Sequence, residues 1–232
     1  MKQSQCPSCG APLTFENAHS LYAVCKYCRT MSVQSEDALK EVGKTAALME
    51  DGSPLQLGAS GTIDGKTFTI IGRIQYNFGL GFWNEWYLNM AEDAGGPAWL
   101  GEANGMYFFT RQQKDAKLAD GIDFNTLYAG GSAFINGKEF YVKDIQTSKV
   151  VSGEGELPFP FESEYEAPVV DLVREDGTFA TLDFSEDGST GLTAGKPLVF
   201  IGRALNYRDL HMNRVRSVYG FKAADAAPGV PA

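Results

Sequence analysis

The chain has 232 residues, 44% of them hydrophobic, and a formal net charge of -9. That length and composition can bury an ordinary core, while the acidic balance opposes a phosphate backbone and argues against a bulk nucleic-acid role. No run approaches the roughly 18 apolar residues of a membrane-spanning helix, and the first residues hold no apolar signal segment, so a cytoplasmic protein is expected.

The four cysteines fall as Cys6-x-x-Cys9 and Cys25-x-x-Cys28, the ligand spacing of a zinc ribbon. Two disulfides are the competing reading, but paired C-x-x-C spacing without a signal segment favours thiolates in a reducing compartment. Each pair fits a metal knuckle, and Gly10 permits a positive φ after the first. Four thiolates fill a tetrahedral ion. The expected cofactor is therefore a structural Zn2+ with no open position for water or substrate. His19, between the pairs, is expected to be a polar loop residue and not a fifth ligand. Leu13, Phe15, Leu21, Tyr22 and Val24 suffice for two short strands but not for a core without the ion, so metal binding should be folding. Lys2, Lys26 and Arg29 are offset by Glu16 and by the thiolate charge around a divalent ion, which leaves no basic signature for reading DNA.

Beyond Val33, Ser35 can cap, Glu36 and Asp37 suit a first turn, and Leu39, Val42, Ala46 and Met49 recur at helical spacing. This predicts a linker helix over 36–49, broken by Asp51-Gly52-Ser53-Pro54. The body then repeats with a period of 72: residues 55–71 and 127–143 share seven of seventeen identities, where chance gives about one. Asp64-Gly65 and Asn136-Gly137, flanked by alternating apolar residues, predict two-residue hairpin turns. Phe68, Ile70, Ile74 and Tyr76 are assigned to one strand face. Asn104-Gly105 and Asp176-Gly177 pair as second hairpins at the same offset. Each unit reads as a small half-open barrel or sandwich, the two copies packed on each other. Leu198–Ile201 adds a closing strand, and the Ala/Pro/Gly-rich tail from Ala223 reads as disordered.

With Trp83-Asn84-Glu85-Trp86-Tyr87-Leu88, Trp99-Leu100 and Gly155-Glu156-Leu157-Pro158-Phe159 in place, the body resembles the bacterial domain of unknown function family 4178 over roughly residues 55–205. That family shows an aromatic-x-Glu-aromatic-x-Leu strand, a Trp-Leu pair and a Gly-Glu-x-Pro-Trp segment, whose last Trp is replaced here by Phe159. Several members carry an N-terminal four-cysteine ribbon. The resemblance implies no established activity; its context, polyamine-synthase-like and membrane-stress genes, implies an accessory role.

Catalytic signatures are sparse. The chain has two histidines, and all four cysteines are spent on the ribbon. No G-x-S-x-G, Walker or Rossmann pattern occurs, and Gly95-Gly96-Pro97 and Gly130-Gly131-Ser132 open no predicted helix. Asp183-x-Ser185-x-Asp187-Gly188 begins like a calcium loop, but Ala194 stands where the bidentate Glu belongs, so an acidic turn is expected. Three features point to partners. Phe78, Phe82 and Trp83 form a patch if exposed together. Glu154, Glu156, Glu162, Glu164 and Glu166, beside Phe159, attract a cation. Arg203, Arg208, His211, Arg214 and Arg216 make a basic stripe for an acidic partner or anionic lipid.

The expected protein is mainly β: a zinc ribbon over 1–34, a linker helix within 35–52, β repeats over 53–125 and 126–210, and a basic segment with a tail over 211–232. Its expected work is that of a non-enzymatic adaptor with a protein partner, met through Phe78, Phe82, Trp83, Glu156 and Phe159. The alternative is an enzyme or regulatory subunit that binds a polyamine-like cation through clustered carboxylates.

Overall fold

The computed structural model describes residues 2–35, 38–91, 96–185 and 196–219. Antiparallel strands dominate. The N-terminal ribbon contributes β1 (Lys2–Gln5), β2 (Pro12–Phe15), β3 (Tyr22–Val24), β4 (Thr30–Gln34) and β5 (Leu39–Lys44). The body follows with β6 (Ser60–Ile63), β7 (Lys66–Asn77), β8 (Phe82–Met90), β9 (Ala98–Ala103) and β10 (Met106–Gln112), then β11 (Ser132–Ile135), β12 (Lys138–Leu157), β13 (Glu166–Val173), β14 (Thr178–Asp183) and β15 (Leu198–Leu205). A 3-10 turn, Tyr207–Leu210, ends the described chain's regular structure.

Eight of these strands close on themselves. The order β12-β13-β14-β15-β10-β9-β8-β7 is completed by a direct β7–β12 pairing, so the sheet is a barrel with no free edge along that circuit. The two hairpin-rich stretches therefore do not fold as two packed bodies. They share one wall, joined at β10–β15 and β12–β7. The Asp64-Gly65 and Asn136-Gly137 turns do close the β6–β7 and β11–β12 hairpins, both residues of each with positive φ. Beyond them the fixed offset fails: Asn104-Gly105 joins β9 to β10, whereas Asp176-Gly177 joins β13 to β14.

A bulge decides which face each β7 residue takes. Ile70 pairs with Leu88 and Gly72 with Tyr87, leaving Ile71 as the extra residue. Phe68 and Ile70 thus point out of the barrel with Trp86 and Leu88, while Ile74 and Tyr76 point in with Glu85 and Trp83. The single face assigned to these four residues is split by that one insertion.

Two outer cores and an inner one result. Outside, Phe68, Ile70, Trp86, Leu88 and Leu100 are covered by Leu55, Ala59, Tyr207 and Leu210. On the other side Val142, Val170, Leu172 and Leu182 are covered by Leu118, Phe124, Leu127 and Ile135. Inside, Ile74, Tyr87, Trp99, Leu157 and Phe161 cluster with Val24 and Met31 of the ribbon.

The linker helix expected over 36–49 does not form among the described residues 38–49. Leu39–Lys44 is instead an edge strand paired with β4, and the chain then runs along the barrel without regular structure, its Met49 backbone bonded to Gln75. Val42, Gly43 and Thr45 are weak helix formers, a lone helix of that length is marginal in water, and the open edge of β4 supplies a ladder. Leu39 meanwhile packs against the cysteine cluster. The basic segment is not set apart either: Asn213 exchanges backbone bonds with Ser60, and the Arg216 amide reaches Pro54 O at 2.9 Å. The tail from Ala223 and Asp187 to Ala194 of the calcium-like motif lie outside the described residues.

Candidate functional site: the barrel lumen and the cysteine cluster

The two cysteine knuckles fold alike. Cys6 N–H donates to Ala11 O and Gly10 N–H to Cys6 O; Cys25 N–H donates to Thr30 O and Arg29 N–H to Cys25 O. Gly10 and Arg29, the equivalent residues, both have positive φ, at 74° and 58°. This geometry turns the thiols toward one point. Cys6 and Cys28 Sγ lie 3.6 Å apart, Cys9 and Cys25 Sγ 3.7 Å, and all four sulfurs lie within 4.8 Å of one another. A tetrahedral zinc with bonds of about 2.3 Å sets its sulfurs about 3.8 Å apart, so the set fits a closed four-thiolate site. Thr30, whose hydroxyl is 3.3 Å from Cys28 Sγ, holds that thiol down to about 6. The Ala11 amide lowers Cys9 as well, but the neighbouring sulfurs and burial outweigh it and push Cys9 up to about 12. His19 is exposed, its amide bonded to Asn17 Oδ1.

The ribbon is fused to the barrel wall. β3 pairs with residues 155–157 of β12, past the point where β13 leaves that edge. Glu156 seals the joint: its Oε1 accepts Glu16 N–H at 2.7 Å and its Oε2 accepts Asn17 N–H at 3.3 Å. Burial raises its carboxyl pKa against the pull of those amides. Both oxygens of the carboxylate that sequence offered to a cationic partner are thus engaged within the fold. Of its neighbours, Glu154 lies 3.6 Å from Arg73, and Glu162, Glu164 and Glu166 are exposed.

Inside the barrel, past the ribbon end, lies a cavity of about 300 Å³. Its lining includes alternate residues on six strands of the circuit, as a lumen requires: Trp83 and Glu85, Trp99 and Gly101, Phe108 and Thr110, Thr181 and Asp183, Val169 and Asp171, Asp144 and Gln146, with Tyr76 and Phe200 from the other two. Aromatic rings form much of it. Tyr76 stacks on Trp83 at 4.9 Å, Phe108 meets Phe179 at 4.5 Å, and Trp99 meets Phe159 at 5.5 Å. Phe78, 5.9 Å from Trp83, comes from the β7–β8 turn, whose tip residue Leu80 is 95% exposed.

The structure thus brings Phe78, Trp83 and Phe159 together on one cavity. Phe82 is half-buried and Glu156 lies at the ribbon joint; neither is among the lining residues. Of the arginines in the basic stripe, Arg203 pairs with Asp64 at 2.6 Å and Arg216 pairs with Asp51.

Sequence reasoning missed the inward carboxylates. Glu85 is enclosed by protein and keeps accessible surface toward the cavity; burial, reinforced by Asp171 and Asp183 and opposed by a hydrogen bond from the Trp83 side chain, pushes it up to about 8. Asp171 is pushed up to about 6 by burial and Asp144, although it accepts the Thr181 hydroxyl at 2.7 Å. Gly101 stands directly opposite Glu85 in the β8–β9 register, and a Cβ there would lie 3.2 Å from Glu85 Oε1. The signal was the strand Trp83–Leu88, where a lone acid among aromatics alternates toward one face.

The eight strands thus close an antiparallel barrel around a cavity of about 300 Å³, with a four-cysteine ribbon fused to its wall. The chain belongs to the family described as Domain of unknown function (DUF4178), which matches residues 56–205, the span from just before β6 to the end of β15. No curated protein and no solved structure matches the chain.

Proposed function

We propose that the protein is a binding protein for a small organic molecule, held in the barrel lumen, with a structural Zn2+ ordering the ribbon. The observation that carries this reading is the cavity itself. It is ringed by inward side chains from all eight strands, apolar over most of its wall, with a few converging polar groups. Glu85 and Asp171 in the lumen support the cation-binding alternative, whereas Glu156 is engaged at the ribbon joint. Zinc is the ion that four thiolates at this spacing select, and such a site suits a reducing, cytoplasmic setting. The ion supplies structure alone, because its four ligands leave no position for a substrate. An adaptor role is the second reading, and Leu80, exposed at the β7–β8 hairpin tip, favours it.

Native mass spectrometry of protein isolated from its own cells tests both parts. The expected mass exceeds the chain by one zinc, lost with chelator, and by one small molecule, released on unfolding. A metal-free, ligand-free mass from several growth conditions contradicts the reading.

A further inference from the structure

Resting on the lumen site proposed above, we infer that its ligand is an organic ammonium compound, the cationic nitrogen set against Glu85 and Asp171 and the apolar body among the rings. The barrel order places β8 across the lumen from β13 and β14, so Glu85, Asp171 and Asp183 converge from three strands, with Asp144 on β12. Lys143 is the one cationic residue lining the cavity among the described residues. An anionic ligand would meet four acidic side chains there, Glu85, Asp144, Asp171 and Asp183. A metal ion is also a poor match: among the described residues, only the cysteines form a group of three or more ligands close enough to share one. Carboxylates spread around a lumen suit an extended organic cation, and the faces of Tyr76, Trp83 and Phe78 attract positive charge. Gly101 keeps the ground beside Glu85 open, since a Cβ there would lie 3.2 Å from Glu85 Oε1.

Uptake is coupled to protons. Burial keeps Glu85 protonated near neutrality in the empty barrel, and an arriving ammonium takes the place of that proton. The groups facing Glu85 are Asp171, Asp183 and Tyr76, with the Trp83 side chain bonded to it; Lys143 and Asp144 complete the charged lining. Loss of the Glu85 proton as pH rises toward about 8, with Asp171 ionising at about 6, therefore raises affinity for the cation over that range.

The test is calorimetric titration of the full chain with phenethylamine and with its neutral analogue 2-phenylethanol. The amine is expected to bind at least tenfold more tightly, to release a proton, and to lose that preference in Glu85→Gln, with Asp171→Asn as a second variant. Alcohol binding equal to or tighter than amine binding overturns the inference and leaves the lumen reading intact, provided Gly101→Leu abolishes it. Silence of both probes removes the lumen reading and the inference together.

Discussion

Glu85 and Glu102 sit one register step apart on the same wall and meet opposite conditions. Glu102 points outward, and its carboxylate accepts Ser53 Oγ, Trp86 Nε1, Tyr107 Oη and Asn84 Nδ2 at 2.6, 2.8, 3.1 and 3.3 Å. Each satisfies part of the hydrogen-bonding capacity of the buried carboxyl group. Glu85 points inward with far less support, and its proton stays on. An acid whose folded pKa lies above its unfolded value binds more protons in the native state, so stability falls as pH rises between the two values. For Glu85 that window runs from its ordinary 4.5 to about 8, and Asp171 adds a same-signed fall from 3.8 to about 6. Asp51 acts in the other sense. Burial alone would raise it, but Arg73, Asn84 and Arg216 together lower it, so its contribution is lost only as pH drops below its ordinary 3.8. Urea midpoints of the ligand-free protein should therefore decline from pH 5 to pH 8, and Glu85→Gln should flatten most of that decline. An unchanged slope in the variant contradicts the inward placement of Glu85.

At the scale of elements, the β7–β12 pairing closes the barrel and depends on glycine for contact. A Cβ on Gly72 would lie 1.8 Å from Glu156 O, and one on Gly155 would lie 2.2 Å from Ile71 O. The two backbones approach too closely for any side chain. Gly72→Ala is accordingly expected to destabilise by about 3 kcal/mol or more, as backbone overlap within a packed wall does. Gly43→Ala, on exposed β5 where nothing lies within 4 Å, should stay within about 0.5 kcal/mol. Equal effects of the two in denaturant unfolding would mean that the seam does not hold. The hairpins are legible in the sequence because Asp64-Gly65, Asn136-Gly137, Asn104-Gly105 and Asp176-Gly177 carry their turn chemistry locally, with Gly at positive φ in each. The linker is not. Its apolar spacing imitates a helix, and what makes it a strand is the free edge of β4, a partner that no window of sequence displays.

For the molecule as a whole, the alternation of its strands is readable from the residues but the side to call inside is not. In β13, Val170 and Leu172 are buried under the covering segment 118–135, while Asp171 between them faces the lumen. Reading apolar as inward therefore inverts the barrel: the largest apolar faces lie outside the wall, beneath the chain's own flanking segments, and the acids lie within. The cysteine cluster is legible because its chemistry is written in spacing alone. The lumen is not, because it exists only once strands spread between residues 66 and 205 have closed a circle. Phe78, Trp83 and Phe159 can be named as a group, yet their common surface is concave and internal.

The account stands on the lumen as the place where ligand goes, and a map of amide and side-chain chemical shifts in isotope-labelled protein titrated with phenethylamine tests it most directly. Saturable changes should concentrate at Tyr76, Trp83, Glu85, Gly101, Phe108 and Thr181, inward positions on five strands of the wall, and leave the outward residues Leu88, Leu172 and Leu182 unmoved. Changes confined to the hairpin tip at Leu80 or to the ribbon, with the inward positions silent, would contradict it.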